Sequence, residues 1–161
     1  RKMAYDQSDV KPITPAEYID RFGDLQPASP PECSWGAGGY HEVWLNGAND
    51  WIYPYLHAAA ERMSALVQRF PDAQGMQRWT LDQAARELLL AQSSDWAFIM
   101  KTGTSVEYAV RRQKTHIHRF DRLATMTESG DYDAVYLREV AARDSPFPDM
   151  DYRIFQTRPW V

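Results

Sequence analysis

The residues able to do chemistry in this chain are few, and most are badly spaced for it. The four histidines are His41, His57, His116 and His118. The last two stand two positions apart, which turns them to different faces of a helix and rules out the i, i+4 pair of a helical zinc site. The single cysteine, Cys33, supports neither an intramolecular disulfide nor a cysteine-based zinc site. No metal ligand set and no cofactor is expected. Carboxylates are plentiful, yet no pair is marked out by an apolar setting that would raise one pKa and leave the other, so no catalytic residue is assigned. Gly36-Ala37-Gly38-Gly39 neither follows a strand nor opens a phosphate-binding helix, which removes the nucleotide-loop reading. The basic run from Arg111 to Arg119 reads as the solvated back of an amphipathic helix. A net charge of −4 argues against a dedicated nucleic-acid binder.

Two stretches remain. Ser34 to Asn46 reads Ser-Trp-Gly-Ala-Gly-Gly-Tyr-His-Glu-Val-Trp-Leu-Asn and places Trp35 and Trp44 nine positions apart, with Gly36, Gly38 and Gly39 between them. Glycine admits positive φ, so this is a shaped loop. Tryptophan is costly to leave in water unless something covers it. Either both rings plug into a core, the commoner fate of an aromatic, or at least one presents its face to a flat ligand such as a sugar ring. The second stretch is Gln92-Ser93-Ser94-Asp95, four polar residues between Leu88-Leu89-Leu90 and Trp96-Ala97-Phe98-Ile99. Ser94 can cap a helix, with Asp95 favoured in its first turn by the helix dipole. The same groups can also hydrogen-bond a hydroxyl-rich ligand beside the tryptophans, and the two readings are compatible.

The elements that must position these residues are helical. Thr14-Pro15-Ala16-Glu17 has the form of a capping box with proline in the first turn, and Gly23 should stop that helix. Pro27, Pro30 and Pro31 make an extended connector. Asn49 or Asp50 is expected to cap the next helix, whose stripe is Ile52, Leu56, Ala59, Met63, Leu66, Val67 and Phe70, with Pro71 and Gly75 ending it. Thr80 with Gln83 should open another, burying Leu81, Ala85, Leu88 and Leu89. A shorter helix from Ser94 ends at Gly103. Thr104 and Glu107 start a long one carrying Val106, Val110, Ile117, Phe120 and Ala124, with Gly130 as its cap. Asp131 begins the last, with Val135, Tyr136 and Val140, and Pro146 and Pro148 stop it. The tail holds Tyr152, Ile154, Phe155 and Trp160 and is expected to lie on another surface. The fold class is all-α: a bundle of four or five helices with a Gly/Trp-rich loop and an irregular aromatic C-terminal tail.

With 161 residues, 44% of them hydrophobic and 25% charged, the chain suits one domain plus attachments. No apolar run approaches the roughly 20 residues that span a membrane, so no membrane partner is expected. A lone cysteine fits a cytoplasmic setting. The polar, irregular start at Arg1 is expected of a piece of a longer polypeptide.

Ser34-Trp35-Gly36, Gly38-Gly39 and Val43-Trp44-Leu45-Asn46, followed by Leu88-Leu89-Leu90-Ala91-Gln92-Ser93-Ser94-Asp95-Trp96, resemble the C-terminal helical domain of family 57 glycoside hydrolases, in particular its 1,4-α-glucan branching enzymes. Tyr18-Ile19 and the closing Phe147-Pro148-Asp149-Met150-Asp151-Tyr152-Arg153 extend the likeness from about Val10 to Phe155. The resemblance implies a retaining enzyme whose (β/α)7 barrel carries a glutamate nucleophile and an aspartate acid/base, neither of them in this chain. It also implies a helical domain that closes over the barrel and lines the α-1,4-glucan groove. By the same resemblance Trp35 and Trp44 line the glucan site and Ser94 and Asp95 face it. Trp51 and Trp96 remain core or packing candidates. Ala37 and Tyr40 depart from the pattern, which often has acidic residues there; this bears on the loop's fine shape and on chain-length preference.

The expected division is 1–31, a connector and short helix from the end of the barrel region; 32–145, the helical domain; and 146–161, a docking tail. The expected function is the substrate-groove domain of a branching enzyme that makes α-1,6 branches in glycogen-like glucans, with the chain inactive by itself. The rivals are the same domain of a 4-α-glucanotransferase or amylase, and a non-catalytic helical interaction domain with the tryptophans in its core.

Overall fold

Capping chemistry sets the helix that follows Thr14 as its sequence indicates. The computed structural model describes residues 2–6 and 8–156. The chain divides into two units, Arg1–Cys33 and Ser34–Val161. In the first, α1 is a single turn, Lys2–Tyr5, and α2 covers Pro15–Phe22. Thr14 Oγ1 accepts from Glu17 N at 3.2 Å, and Glu17 Oε2 accepts from Thr14 N at 2.8 Å, completing the capping box. Gly23, at φ 42°, ends the helix. No residue of α2 is buried, and Tyr18 and Phe22 stack at 4.5 Å on its surface.

The second unit holds five helices: α3 (Ile52–Arg69), α4 (Gly75–Ala91), α5 (Ser94–Thr102), α6 (Val106–Ser129) and α7 (Ala134–Arg143). No strand occurs among the described residues. The α4–α6 packing is the most extensive of the helix contacts. One apolar cluster joins Met63, Leu66 and Val67 of α3, Leu81 and Leu88 of α4, Phe120 and Leu123 of α6, and Leu137 and Val140 of α7. A second, smaller cluster lies where α3, α5 and α6 meet, built on Ile52, Leu56, Ala97, Met100 and Ala109. Trp44, Trp51 and Trp96 pack against it. The α3 stripe is buried as its period demands from Ile52 to Val67, with Phe70 half-buried at its end. Across the outer face, Arg62 of α3 clasps Asp121, Thr125 and Glu128 of α6, and the Glu128 hydrogen bond raises the guanidinium's affinity for its proton.

Several helix boundaries differ from the sequence expectation, each for a local reason. α4 starts five residues early, at Gly75, so Thr80 is interior and its hydroxyl bonds back to Met76 O at 2.8 Å. Gln83 is fully buried and donates to Glu87 and to Asp144 O rather than closing a cap. Neither Asn49 nor Asp50 caps α3; the N-cap is Trp51, without a side-chain bond. Ser93, not Ser94, occupies the α5 N-cap, and its hydroxyl goes to Asp95. Ser105 precedes α6, and Asp133, not Asp131, caps α7 by accepting from Tyr136 N at 2.9 Å. In α6 the hydrophobic face is shifted: Val106 is exposed, while Ala109, Gln113, His116 and Arg119 are buried.

The tail after α7 lies on the bundle through a 3-10 turn, Tyr152–Phe155. Tyr152 is fully buried; its hydroxyl donates to Phe70 O at 2.5 Å and accepts from Ala73 N at 3.2 Å, and its backbone amide reaches Asp82 at 2.9 Å. Phe155 packs on the same cluster, whereas Ile154 is exposed, because the three-residue period of the turn puts Tyr152 and Phe155 on the inner face and Arg153 and Ile154 on the outer one. Trp160 lies outside the described residues. Asp151 holds Arg153 and Arg78.

Tyr152→Phe should keep the ring's packing and lose about 1–2 kcal/mol by leaving the Ala73 amide and Phe70 carbonyl unpaired; urea denaturation measures it, and an unchanged midpoint excludes the anchor. A second outcome concerns acid. The hydrogen bond from Arg153 holds the Asp151 carboxyl down to about 2. A carboxylate with a lowered folded pKa stabilises the fold above its unfolded value of about 4 and loses that contribution as pH falls toward 2. Asp151→Asn should therefore flatten the acid limb of the stability curve between about pH 4 and pH 2, while leaving its shape near neutrality unchanged.

Candidate functional site

The loop Ser34–Asn46 folds back on itself before it meets any helix. Ser34 N donates to Gly39 O at 2.6 Å, and the Ser34 hydroxyl accepts from His41 N at 2.6 Å. Gly36 sits at φ 75°, and a Cβ there would lie 3.0 Å from Val43 Cγ2, so both its backbone and its space require glycine. Ala37 (φ 43°) and His41 (φ 64°) take positive φ without being glycine, a strained geometry that costs about 1–3 kcal/mol each. Tertiary contacts must supply that energy, and they come from Asn49. It is fully buried; its side-chain nitrogen donates to Val43 O at 3.0 Å and Ala97 O at 3.1 Å, and its oxygen accepts from Asn46 N at 2.9 Å. Lys101 pairs with Glu42 at 3.1 Å. The Tyr53 hydroxyl donates to Trp44 O, and burial pushes the Tyr53 phenol up, which keeps it a donor.

These ties bring Trp35 and Trp44 together on α5. Their ring centroids are 6.3 Å apart, and Phe98 completes a triangle at 6.0 Å from Trp35 and 5.9 Å from Trp44. All three pairs are tilted, within the range that aromatic rings favour. Trp35 is 69% exposed, whereas Trp44 is half-buried against the second cluster. The triangle therefore has a fixed inner ring and an open outer one. Ser94 and Asp95 are exposed in the first turn of α5, with Asp95 accepting from Ser93 at 2.8 Å. Asp95 and Phe98 are three apart and so share a helix face. Phe98 and the Glu42–Lys101 pair were not singled out from the sequence, and Asn49 was read only as a helix cap; the i, i+3 spacing from Asp95 was the available signal for Phe98. Trp51 and Trp96 are half-buried packing residues, and Trp96 Nε1 donates to Leu90 O at 2.7 Å.

A second polar group lies inside the bundle. His116 Nδ1 and Glu87 Oε2 share a 2.7 Å hydrogen bond with neither residue exposed. Arg119 and Arg112 hold Asp144, and Gln83 bonds Glu87 and accepts from Arg86. The basic run is thus not all solvated: Arg111, Lys114 and His118 face out, but His116 and Arg119 point into the bundle. Glu87, His116 and Asp144 place three donor atoms within 4.8 Å. Their carboxylates are committed to protein cations and amides and sealed from substrate. That occupancy suits neither two-carboxylate catalysis nor a metal cation, which the neighbouring guanidiniums repel.

The family model for the C-terminal domain of 1,4-alpha-glucan branching enzyme matches residues 55–155. This chain belongs to that family. The branching-enzyme match takes in Ser94 and Asp95 and begins after Trp35 and Trp44. The chain is also 36% identical over 146 residues to the 1,4-alpha-glucan branching enzyme TK1436 of Thermococcus kodakarensis, covering 88% of this chain and 22% of that protein. The crystal structure of TK1436, a GH57 branching enzyme, in complex with glucose and additives, superposes with a TM-score of 0.80 at 33% identity, over 94% of this chain and 28% of the other. The GH57-type branching enzyme of Pyrococcus horikoshii gives 0.79 at 34% identity, over 96% and 31%. This chain thus corresponds to less than a third of each of these branching enzymes.

Asn49→Ala should leave the Asn46 amide without its acceptor and remove the bonds to Val43 O and Ala97 O, costing about 2–3 kcal/mol, and should shift tryptophan emission to the red as the triangle opens. A variant with wild-type melting and wild-type emission would show that the loop is held by other means.

Proposed function

We propose that the chain is the substrate-groove domain of a 1,4-α-glucan branching enzyme. The whole protein cuts an α-1,4-glucan, holds the fragment on a catalytic barrel elsewhere in the polypeptide, and transfers it to a 6-hydroxyl of a glycogen-like acceptor. Family membership supports the activity. The observation that carries the site is the triangle of Trp35, Trp44 and Phe98, with Trp35 presented to solvent by a strained loop. A pyranose has an apolar face of C–H bonds that stacks on an indole, and its rim of hydroxyls asks for groups such as Asp95 and Ser94. Covering the glucan with apolar rings also excludes water, which favours transfer over hydrolysis. The exposed thiol of Cys33 supports a reducing, cytoplasmic setting. Since the chain's buried carboxylates are sealed, the 161 residues by themselves should form no α-1,6 linkages from amylose.

The two tryptophans should behave differently. Trp35→Ala in the complete enzyme should lower the branching rate roughly tenfold with little change in melting, because stacking is worth on the order of 1 kcal/mol beyond its area and the ring is mostly exposed. Trp44→Ala should lose both rate and stability, since its inner edge packs on the core. Asp95→Asn keeps the shape and should weaken glucan binding with the fold nearly unchanged. A Trp35→Ala enzyme with an unaltered rate and an unaltered ratio of hydrolysis to transfer would remove the loop from the glucan site.

A further inference from the structure

A groove between α3 and α6 has the features of a separate ligand site. It encloses about 460 Å³ and is lined by Trp51, Tyr55, Gln113, Lys114, His118 and Asp121, with Ile52 and Ile117 behind them. Its volume is that of an ordinary small-molecule pocket, and it shares no residue with the triangle of Trp35, Trp44 and Phe98.

Two observations point to an occupant. The first is an aromatic corner. Tyr55 is 58% exposed and stands edge-on to Trp51, with centroids 6.4 Å apart and planes at 70°. An exposed tyrosine at right angles to a half-buried tryptophan gives a flat apolar wall and a floor. The second is Gln113. It is 1% exposed and lines the groove, and neither its amide oxygen nor its amide nitrogen has a hydrogen-bond partner. A buried primary amide offers two donors and an acceptor, and leaving all of them unmade is costly. Ordinary core packing would place leucine or methionine there. An amide retained in an apolar wall is the group that recognises a ligand which both donates and accepts at adjacent positions.

Charge narrows the class. Lys114 lies with Nζ 5.6 Å from the Trp51 ring centroid, and Asp121 faces the same groove while held by Arg62 at 3.1 Å. One cation and one anion leave no field that favours an anionic ligand over a neutral one. A neutral polyol with an apolar ring face meets every feature: the aromatic corner takes the face, and Gln113, Lys114 and His118 take hydroxyls.

We propose that this groove is a second glucan-binding site, holding one or two glucosyl units of an α-1,4-glucan away from the Trp35 loop. The proposal rests on the reading of the protein as a glucan-handling enzyme, from which the ligand class comes. Such a site tethers a long chain to the domain, so it acts on affinity for long substrates and not on the chemical step.

The test uses the complete enzyme and maltoheptaose, with affinity measured by calorimetry and branching measured on amylose. Tyr55→Ala and Gln113→Leu are the informative variants. The first removes an exposed ring, and the second replaces an unpartnered amide by an apolar side chain of similar size. Each should fold, and Gln113→Leu should melt higher than the parent. Each should remove or weaken one class of maltoheptaose binding by five- to tenfold and raise KM for amylose with kcat unchanged. Trp35→Ala measured alongside should retain that class. Unaltered binding in both variants, with a loss in Trp35→Ala, overturns the groove and leaves the Trp35 site standing. Loss of binding in both variants of a protein that forms no branches keeps the groove and overturns the branching activity. A parent enzyme that binds no maltoheptaose overturns both.

Discussion

Glu87 and His116 meet in the middle of the bundle, both fully buried, and the register of α4 against α6 depends on that meeting. Taking a carboxylate out of solvent costs several kcal/mol, so Glu87 and Asp144 survive there because donors meet them, although His116 Nε2 and Arg112 Nε are left without a partner among the described residues. Here the partners come from three elements. Gln83, Arg86 and Glu87 lie within two turns of α4; Arg112, His116 and Arg119 lie at i, i+4 and i+7 of α6; Asp144 closes the C-terminus of α7. Sliding α6 by one turn would strand a carboxylate and a guanidinium in apolar surroundings. Hydrophobic area alone does not forbid such a slide, since apolar side chains recur along both helices: Leu81, Ala84, Ala85 and Leu88 on α4, Ala109, Phe120, Leu123 and Ala124 on α6. The polar network thus specifies the alignment that the apolar cluster stabilises.

The loop of tryptophans hangs from this frame. α6 holds the second cluster with Ala109, the cluster holds α5 with Ala97 and Met100, and the backbone carbonyl of Ala97 accepts from Asn49. Through Asn49 the helix end dictates where Val43 and Asn46 lie, and between them Trp44 is set with its inner edge on the cluster. Strain at Ala37 and His41 is tolerable because it is spread over a loop closed at Ser34 and pinned at Asn49. A looser loop would relax that strain and let Trp35 collapse onto Phe98, hiding the face that the geometry leaves open.

Periodicity made the helices legible. The α3 stripe from Ile52 to Val67 and the αL glycines at Gly103 and Gly130 read directly, as did the Thr14–Glu17 box, because each is set by contacts within a few residues. What failed were caps chosen by residue type alone. Thr80 and Gln83 have the composition of a helix start, yet the helix runs through them because their side chains find partners within or across the bundle: Met76 O for one, Glu87 and Asp144 for the other. The basic run around His116 failed likewise. Arginine and histidine read as solvated unless the carboxylates that receive them are known, and Glu87 and Asp144 are 29 and 25 positions from their partners His116 and Arg119. Long-range polar pairing leaves no periodic trace. At the candidate site, Trp35 and Trp44 were visible as residues too costly to scatter in a loop, whereas Phe98 was not and Asn49 read only as a helix cap, since each is ordinary until the loop and α5 are seen to touch.

That contrast separates two uses of aromatic residues in one small domain. Tyr152 and Phe120 are sealed and each is held by contacts on several sides, so their job ends with the fold. Trp35 at 69% exposure and Tyr55 at 58% leave apolar rings in water, as Tyr40 does at 79%, while Trp44, Trp51 and Tyr53 are at least half-covered. A single exposed aromatic needs no explanation. Two that are each braced by a second ring, one by Trp44 and Phe98 and the other by Trp51, are another matter, because bracing fixes a side chain's rotamer and so removes the entropy that stacking on a ligand would otherwise cost. Preorganised rings on a rigid helical frame suit a ligand whose own faces are flat and repeated, since each unit of such a chain can use the same kind of contact in turn.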